Sequence, residues 1–509
     1  MTSWTGGYIA DVGYTYGYYT ELNPLRAPLA FLTAGLVPPE TGTHCELGFG
    51  QGLSVNIHAA ASGNTWYATD FNPTQAGFAQ MLARTSGAHA HLHDDAFADF
   101  CQRADLPYFD SIGLHGIWSW ISDENRAVIV DFVRRKLRVG GVLYISYNTQ
   151  PGWAAMVPVR DLLTEHAAIL GASGQGIISR IDASLAFAEK LLATHPLYAR
   201  INPQVADRLK KIQEQNRHYL AHEYFNRDWL PMPFARMAEW LAPAKLGFAC
   251  SAHYIDHLDT MNLNDAQKQL IHELPDPLFR ETVRDFCVNQ QFRRDYWVKG
   301  ARRLNTLEQG EALRAHRVIL IQPRSTVSLK AAGALGEANL SESIYNPILD
   351  HLADHKPKTL GQLEQALKEI SFSHLLEAAL LLTSTGSLAA VQEESLIAKA
   401  KRQTDKLNAY LMDKARGSDD IGYLASPVIG GGIPVARFHQ LMLLARTQGR
   451  KQPAEWAAFV WQILSAQGRR LIKEGQTLAT AEENLAELSA QAQMLADQWL
   501  PVLKALQIA

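Results

Sequence analysis

The chain has 509 residues, which at roughly 100–200 residues per domain corresponds to about three domains and excludes a single small module. Hydrophobic residues make up 47% and charged residues 19%, below the roughly 25% usual for soluble domains, which points to large buried cores and excludes long disorder. With 48 Lys and Arg against 51 Asp and Glu the formal net charge is −3, so no global basic field gathers nucleic acid or anionic lipid and any anion site is local.

The opening MTSWTGGYIADVGY has no basic segment followed by an apolar one, and no run of about 18 apolar residues follows, so a cytoplasmic protein without a membrane span is expected. The four cysteines, Cys45, Cys101, Cys250 and Cys287, form no CxxC pair, which argues against a thiolate metal site or a disulfide framework and for buried, reduced thiols.

From Thr43 the text alternates as a parallel sheet does: strands at 43–47, 65–70, 89–93 and 109–115, with a helix at 73–86. Residues 123–138 carry helical periodicity, and Gly140-Gly141 then breaks into the β-rich run GVLYISYN. After Pro151-Gly152 the pattern changes to helices at 158–170, 180–193 and 203–222, so 151–229 is read as a helical insertion. FARMAEWLAPAKLGF (234–248) reads as a helix, while FACSAHYI (248–255) and RVILIQP (317–323) read as the last two strands of the same sheet. Residues 1–150 and 230–323 then form one α/β, Rossmann-like, doubly wound domain.

Residues 335–405 read as a separate unit, with short helices at 345–352, 359–369 and 373–384 and a small hairpin after Gly386-Ser387, the outline of a winged helix. That unit holds six basic and ten acidic side chains, and its third helix has no basic residue, so it is expected to face protein and not nucleic acid. After the loop SPVIGGGIPV (426–435) the remainder of 406–509 is helical, ending in an amphipathic tail over 480–507.

The chemistry is carried by HCELGFGQGLS, residues 44–54, which places Glu46 at a strand end and Gly48, Gly50 and Gly52 in the next turn. The dinucleotide fingerprint spaces its glycines differently and has no acid before them. A pyrophosphate would avoid Glu46, whereas a ligand carrying an ammonium and a sulfonium suits it, and S-adenosylmethionine is such a ligand. Asp70 ends the second strand, where a carboxylate can accept both ribose hydroxyls. Asp94 and Asp95 end the third strand before Ala96, a place for an adenine contact, and Phe71 follows Asp70. All of these lie at strand C-termini, the binding edge of an open α/β sheet.

Methyl transfer needs an in-line nucleophile, exclusion of water and loss of a proton from the attacking atom. Aromatic walls favour a sulfonium and an incoming amine by cation–π attraction. Tyr14, Tyr18 and Tyr19 precede the sheet, His115, Trp118 and Trp120 follow the fourth strand, and Tyr147 and Trp153 follow the fifth. From these, His115, Tyr18 and Trp118 are assigned to catalysis, with His115 also against the cofactor, and Tyr14, Tyr19, Glu21, Trp120, Tyr147 and Trp153 to the acceptor. His89, His91 and His93 alternate along the third strand, but a doubly wound strand is covered on both faces and no further ligands are suitably spaced, so no metal is expected.

The chain resembles class I S-adenosylmethionine-dependent methyltransferases, and more narrowly the bacterial group with a C-terminal methyltransferase-regulatory domain. The blocks that carry the likeness are Tyr14, Tyr18, Tyr19, Glu21, Leu22 and Pro24 before the first strand, then CELGFGQG, TDFNP, FDSIGLHGIWSWI, LRVGGVLYISYNTQPGW, HEYFNRDWLPMPF, YNPILD and LASPV. The group is similar to bacterial protein-lysine methyltransferases that act on outer-membrane proteins. The resemblance implies a Rossmann-like cofactor domain, helical middle and C-terminal domains around an open cavity, and a homodimer. The expected function is methyl transfer from S-adenosylmethionine to a lysine amine of a protein or peptide. The alternatives are a small-molecule or peptide natural-product acceptor, and a non-catalytic S-adenosylmethionine-binding regulator. An open, acid-rimmed groove favours the protein substrate, and a closed pocket of roughly a few hundred Å³ favours the small one.

Overall fold

The computed structural model describes residues 7–8, 13–171 and 174–509, so most of the N-terminal stretch read above for a leader lies outside the described residues. The central sheet contains β1 (Thr43–Leu47), β2 (Thr65–Thr69), β3 (Ala90–His93), β4 (Phe109–Leu114), β5 (Leu137–Asn148), β6 (Leu246–Ser251) and β7 (Phe292–Lys299). Their order is β3-β2-β1-β4-β5-β7-β6, with β1 to β5 mutually parallel and β7 antiparallel to both its neighbours. The strand order reverses between β1 and β4, the switch point at which such sheets open a crevice. β1 is buried at His44, Cys45, Glu46 and Leu47, as a strand covered on both faces requires.

Two sequence expectations change here. β7 takes a place in the sheet where no strand is expected, because its FRRDYWVK text carries three consecutive charges. Arg293 and Asp295 are nonetheless buried, since Arg293 bonds Asp285 at 2.6 Å and Asp295 at 3.0 Å. The apolar run at 317–323 does not join the central sheet. It forms β8 (Arg317–Leu320), the middle strand of a separate three-stranded sheet. The third-strand histidines also differ from expectation, for β3 is an edge strand and His91 is exposed, stacked on Tyr67 at 4.5 Å. Cys45, Cys101 and Cys250 are free and buried, while Cys287 is only partly buried.

The insertion has its own core, in which Leu163, Ile181, Leu185, Leu209 and Leu220 meet. The helix expected over 203–222 is two helices, Gln204–Gln213 and Arg217–Tyr224. Asn216 separates them: its side-chain oxygen accepts the N–H groups of His218 at 2.8 Å and Tyr219 at 3.4 Å, an N-cap that starts a new helix in a new direction. This break brings the last turn of the second helix to the binding edge of the sheet.

After a short hairpin, β9 (Lys330–Gly333) and β10 (Gly336–Asn339), the helices Glu342–Leu352, Leu360–Ala366 and Phe372–Ser384 surround β8, β11 (Lys358–Thr359) and β12 (Leu388–Ala390). The small hairpin expected after Gly386-Ser387 does not form among the described residues, because β12 pairs with β8. The segment read as a loop at 426–435 instead contributes to a hairpin, β13 (Tyr423–Ser426) and β14 (Gly431–Pro434). The hairpin and the long helix Glu394–Lys414 cover the helix Leu53–Ser62, all ten residues of which are buried. Gln392 Nε2 donates to the Ala61 carbonyl at 2.8 Å and Asn23 Nδ2 to that of Ile429 at 3.0 Å, so the N-terminal segment and the C-terminal region close on one another. The expected tail is a helix at Ala481–Met494 and another at Leu500–Ala505, joined by a π-helical turn. Among the described residues no helix is long and apolar enough to cross a membrane.

Candidate active site

β1 ends in Glu46, and the chain then turns through Gly48, Gly50 and Gly52 at φ of +77°, +57° and +70°, backbone that other residues rarely adopt. A Cβ on Gly50 would lie 3.4 Å from the Tyr14 ring, and one on Gly52 would lie 2.3 Å from the Ala79 Cβ. The loop is held by Asp70, whose carboxylate accepts the Gly50 N–H at 2.9 Å and the Asn72 N–H at 3.0 Å. Burial pushes Asp70 up to about 6 even against those two donors. Glu46 is 2% exposed, and its Oε2 has no hydrogen-bond partner. Burial and then the neighbouring Asp70 push it up to about 8. An orphaned buried carboxylate oxygen beside a glycine turn is an acceptor awaiting a donor.

A cavity of about 290 Å³ opens at this edge of the sheet. Among the residues singled out in the sequence, Tyr14, Tyr19, Gly48, Gly50, Asp70, Phe71, Asp95, Ala96, His115 and Trp120 line it. Asp95 bonds Arg103 at 3.1 Å. His115 stacks on the Tyr19 ring with centroids 3.7 Å apart, and its Nδ1 lies 2.8 Å from the Tyr144 hydroxyl. Burial lowers its pKa to about 4 despite Glu21 nearby, so the ring is neutral near pH 7.

The other predicted site residues lie elsewhere. Tyr18 faces the C-terminal hairpin, its hydroxyl accepting the Gly432 N–H at 2.8 Å. Trp118 is fully buried, with its indole N–H 3.4 Å from the Met232 sulfur. Tyr147 points into the sheet's core and donates to Asp295 at 2.8 Å, because strand alternation on β5 turns it away from the cavity. Trp153 packs in the insertion under Arg208, whose guanidinium is 3.9 Å from the ring centroid. Glu21 pairs with Arg294 at 3.5 Å beside a different cavity of about 420 Å³. Burial, which would raise its pKa, is outweighed by Arg26 and Arg294, which hold it below the usual carboxylate value. Glu46 and Gly52 do not themselves line the cavity, since Gly52 packs against the next helix.

One wall was not anticipated. Tyr8, Gln51 and Asn125 line the cavity, and so do His222, Glu223, Asn226, Arg227 and Asp228 from the end of the helix Arg217–Tyr224 and the turn after it. These last five belong to the HEYFNRDW block, which carried the family likeness but no assigned chemistry. Trp120 fixes this wall by donating its indole N–H to the Glu223 carbonyl at 3.3 Å. Burial pushes the Glu223 carboxyl up to about 7.

A larger cavity of about 580 Å³ borders β6 and β7, where Arg293 is bonded to Glu281 at 2.8 Å as well as to Asp285 and Asp295. Among the described residues no group of three or more His, Cys, Asp or Glu is placed to hold a metal ion.

The seven-stranded order with its reversed β7, and the glycine turn at the switch point, define a methyltransferase fold of the Rossmann-like type. The chain is similar over 97% of its length, and over the whole of the other chain, to PKMT2 from Rickettsia typhi, solved in complex with AdoHcy, at a TM-score of 0.70 and 17% identity. Residues 216–299 match the family described as a predicted methyltransferase regulatory domain. The chain is 42% identical over 99% of its length, and 100% of the relative's, to the uncharacterized protein sll1526 of Synechocystis. It is also 26% identical over 56% of its length, and 51% of the relative's, to the uncharacterized protein RP789 of Rickettsia prowazekii. The chain belongs to the family of sll1526.

Proposed function

We propose that the protein is an S-adenosylmethionine-dependent methyltransferase whose acceptor is a lysine amine of a protein or peptide. The observation that carries the reading is the buried, orphaned Glu46 Oε2 beside a glycine turn braced by Asp70, which suits the ammonium and ribose of that cofactor. Glu46 would meet the ammonium, Asp70 the ribose hydroxyls, and Phe71, Asp95 and Ala96 the adenine. When bound, the cofactor supplies a sulfonium methyl group to a nucleophile. The chain's own part is to position the acceptor, to exclude water with Tyr14, Tyr19 and Trp120, and to remove a proton from it. PKMT2 of Rickettsia typhi, with AdoHcy in its structure, supports the same reading.

Two features bear on the acceptor. Asp95 and Asp228 in the cavity lining are paired with Arg103 and Arg227, which leaves Glu223 as the acid that favours a cationic side chain. The volume of about 290 Å³ favours the second reading, a small amine or peptide natural product. In the first reading the acidic, winged-helix-like unit at 335–405 presents polypeptide to the site, the protein works in the cytoplasm, and two copies form a dimer.

The test incubates the purified chain with methyl-labelled S-adenosylmethionine and bacterial lysate. Acid-precipitable label recovered as methyl-lysine after hydrolysis is the expected result. Label in a new soluble product shifts the assignment to a small acceptor. Tight cofactor binding with no labelled product in either fraction leaves a regulator.

A further inference from the structure

Glu223 is the unexplained charge of the cavity. It occupies the last turn of the helix Arg217–Tyr224 and lines the cavity wall, yet among the described residues no ion pair reaches it. The nearby guanidiniums have other partners: Arg227 pairs with Asp228 at 2.9 Å, and Arg208 lies over Trp153. The groups within its electrostatic reach are phenols, those of Tyr8, Tyr14, Tyr19, Tyr219 and Tyr224, whose ionisation it disfavours. Tyr14 meets His222 edge-on at 5.0 Å, and Tyr19 is stacked on His115. Tyr8 is within reach of both Asp70 and Glu223, so it stands between the wall assigned to cofactor and the wall that is not. A helix C-terminus repels an anion, so nothing in the local backbone favours a carboxylate here. An unpaired carboxylate among aromatic rings is the combination that binds a small alkylammonium ion, by charge and by cation–π attraction together.

Resting on the methyltransferase reading, we propose that Glu223 receives the acceptor: its carboxylate, in the same cavity as the Tyr14 and Tyr19 rings, binds an alkylammonium side chain and takes its proton. One N–H bond breaks, its electron pair stays on nitrogen as the lone pair, and the proton ends on a Glu223 oxygen. Nitrogen then forms the N–C bond while the C–S bond breaks with its pair kept on sulfur. The product leaves as a methylammonium, and Glu223 returns the proton to solvent. Of the two candidate proton acceptors, Glu223 titrates at about 7, whereas His115 is lowered to about 4 and has its Nδ1 engaged by Tyr144. A base near neutrality is the better match to the task.

The test uses the full chain saturated with AdoHcy, titrated with n-butylammonium as the probe and with the neutral 1-pentanol as control, by calorimetry. The expected result is that Glu223→Gln keeps AdoHcy affinity within about 3-fold of the unmodified chain and weakens n-butylammonium at least 10-fold, with 1-pentanol unchanged and Glu223→Asp partly restoring the ammonium. Unchanged n-butylammonium affinity in Glu223→Gln, or no n-butylammonium binding by the unmodified chain, overturns the assignment. So does loss of AdoHcy from Glu223→Gln, which would move the residue into the cofactor subsite. Failure of the unmodified chain to bind AdoHcy is a separate result and overturns the methyltransferase reading itself.

Discussion

The two walls of the cavity are built by different rules. The sheet wall is local: Gly48, Gly50 and Asp70 line the cavity with Glu46 buried behind them, all within 25 residues at the C-terminal ends of parallel strands, and the Gly50 N–H braces Asp70. The helix wall is remote: Glu223 comes from an insertion, is positioned by the Asn216 cap and the Trp120 indole, and its carboxylate is held by no charge partner among the described residues. The difference separates a part fixed by the fold from a part that the insertion can vary.

The largest expected effect on cofactor affinity lies on the sheet wall. Glu46→Gln and Asp70→Ala each remove a charged acceptor, and a hydrogen bond to a charged group is worth about 1.5–3 kcal/mol, so AdoHcy affinity falls roughly 10- to 100-fold in calorimetric titration. Glu223→Gln is the contrasting case, with a change below about 3-fold. Equal losses from both walls would erase the division.

The next effect separates two glycines of one turn. Gly52→Ala puts a Cβ 2.3 Å from the Ala79 Cβ at a positive φ, so the cost is overpacking plus backbone strain, roughly 2–4 kcal/mol of stability read as a lower denaturation midpoint. Gly50→Ala meets only the Tyr14 ring at 3.4 Å, so it strains the turn by about 1–2 kcal/mol and mainly weakens AdoHcy. Finding the reverse order would assign Gly52 to the ligand after all.

What the sequence makes legible follows the same division. A strand, a glycine turn and an acid at the next strand end are near neighbours, so their spacing reports their geometry. Glu223 follows Asp70 by some 150 residues, and only the capped break at Asn216 carries it to the site. Trp118 and Tyr147 read as site residues because they follow strands, yet one is wholly buried beside Met232 and the other is turned inward onto Asp295. β7 is hidden because its charged text reads as exposed, whereas Arg293 is neutralised by Asp295 on the same strand and by Asp285 and Glu281 on the helix before it, a pairing that hydropathy does not record. The run at 317–323 announces a buried strand correctly, but apolarity does not say which sheet a strand joins.

Tyr18 provides a third and smaller effect, outside both walls. Its hydroxyl accepts the buried Gly432 N–H, so Tyr18→Phe leaves that donor unpaired and costs about 1–3 kcal/mol of stability, with AdoHcy affinity unchanged. A loss of affinity with stability intact would return Tyr18 to the site.

The smallest effect is a dependence on pH that the two walls share in the empty protein and that AdoHcy splits. Glu46 at about 8, Glu223 at about 7 and Asp70 at about 6 are all raised above their unfolded values. A raised carboxylate contributes stability that is complete below the unfolded pKa and is lost as pH rises through the folded one, so these three weaken the fold between about pH 5 and pH 8. The buried neutral histidines His44 and His115, lowered to about 3 and about 4, act in the opposite sense as pH falls below about 6.5, which confines the carboxylate signal to the alkaline side. An ammonium bound at Glu46 compensates its charge there, so the thermal stabilisation by AdoHcy grows from pH 6 to pH 8, by about 1–3 °C. Glu46→Gln should flatten that growth and Glu223→Gln should leave it standing, because the proposed site gives the cofactor's cation to Glu46 and not to Glu223. A slope that survives in Glu46→Gln, measured by scanning calorimetry at both pH values, would mean that the ammonium is recognised somewhere other than the sheet wall.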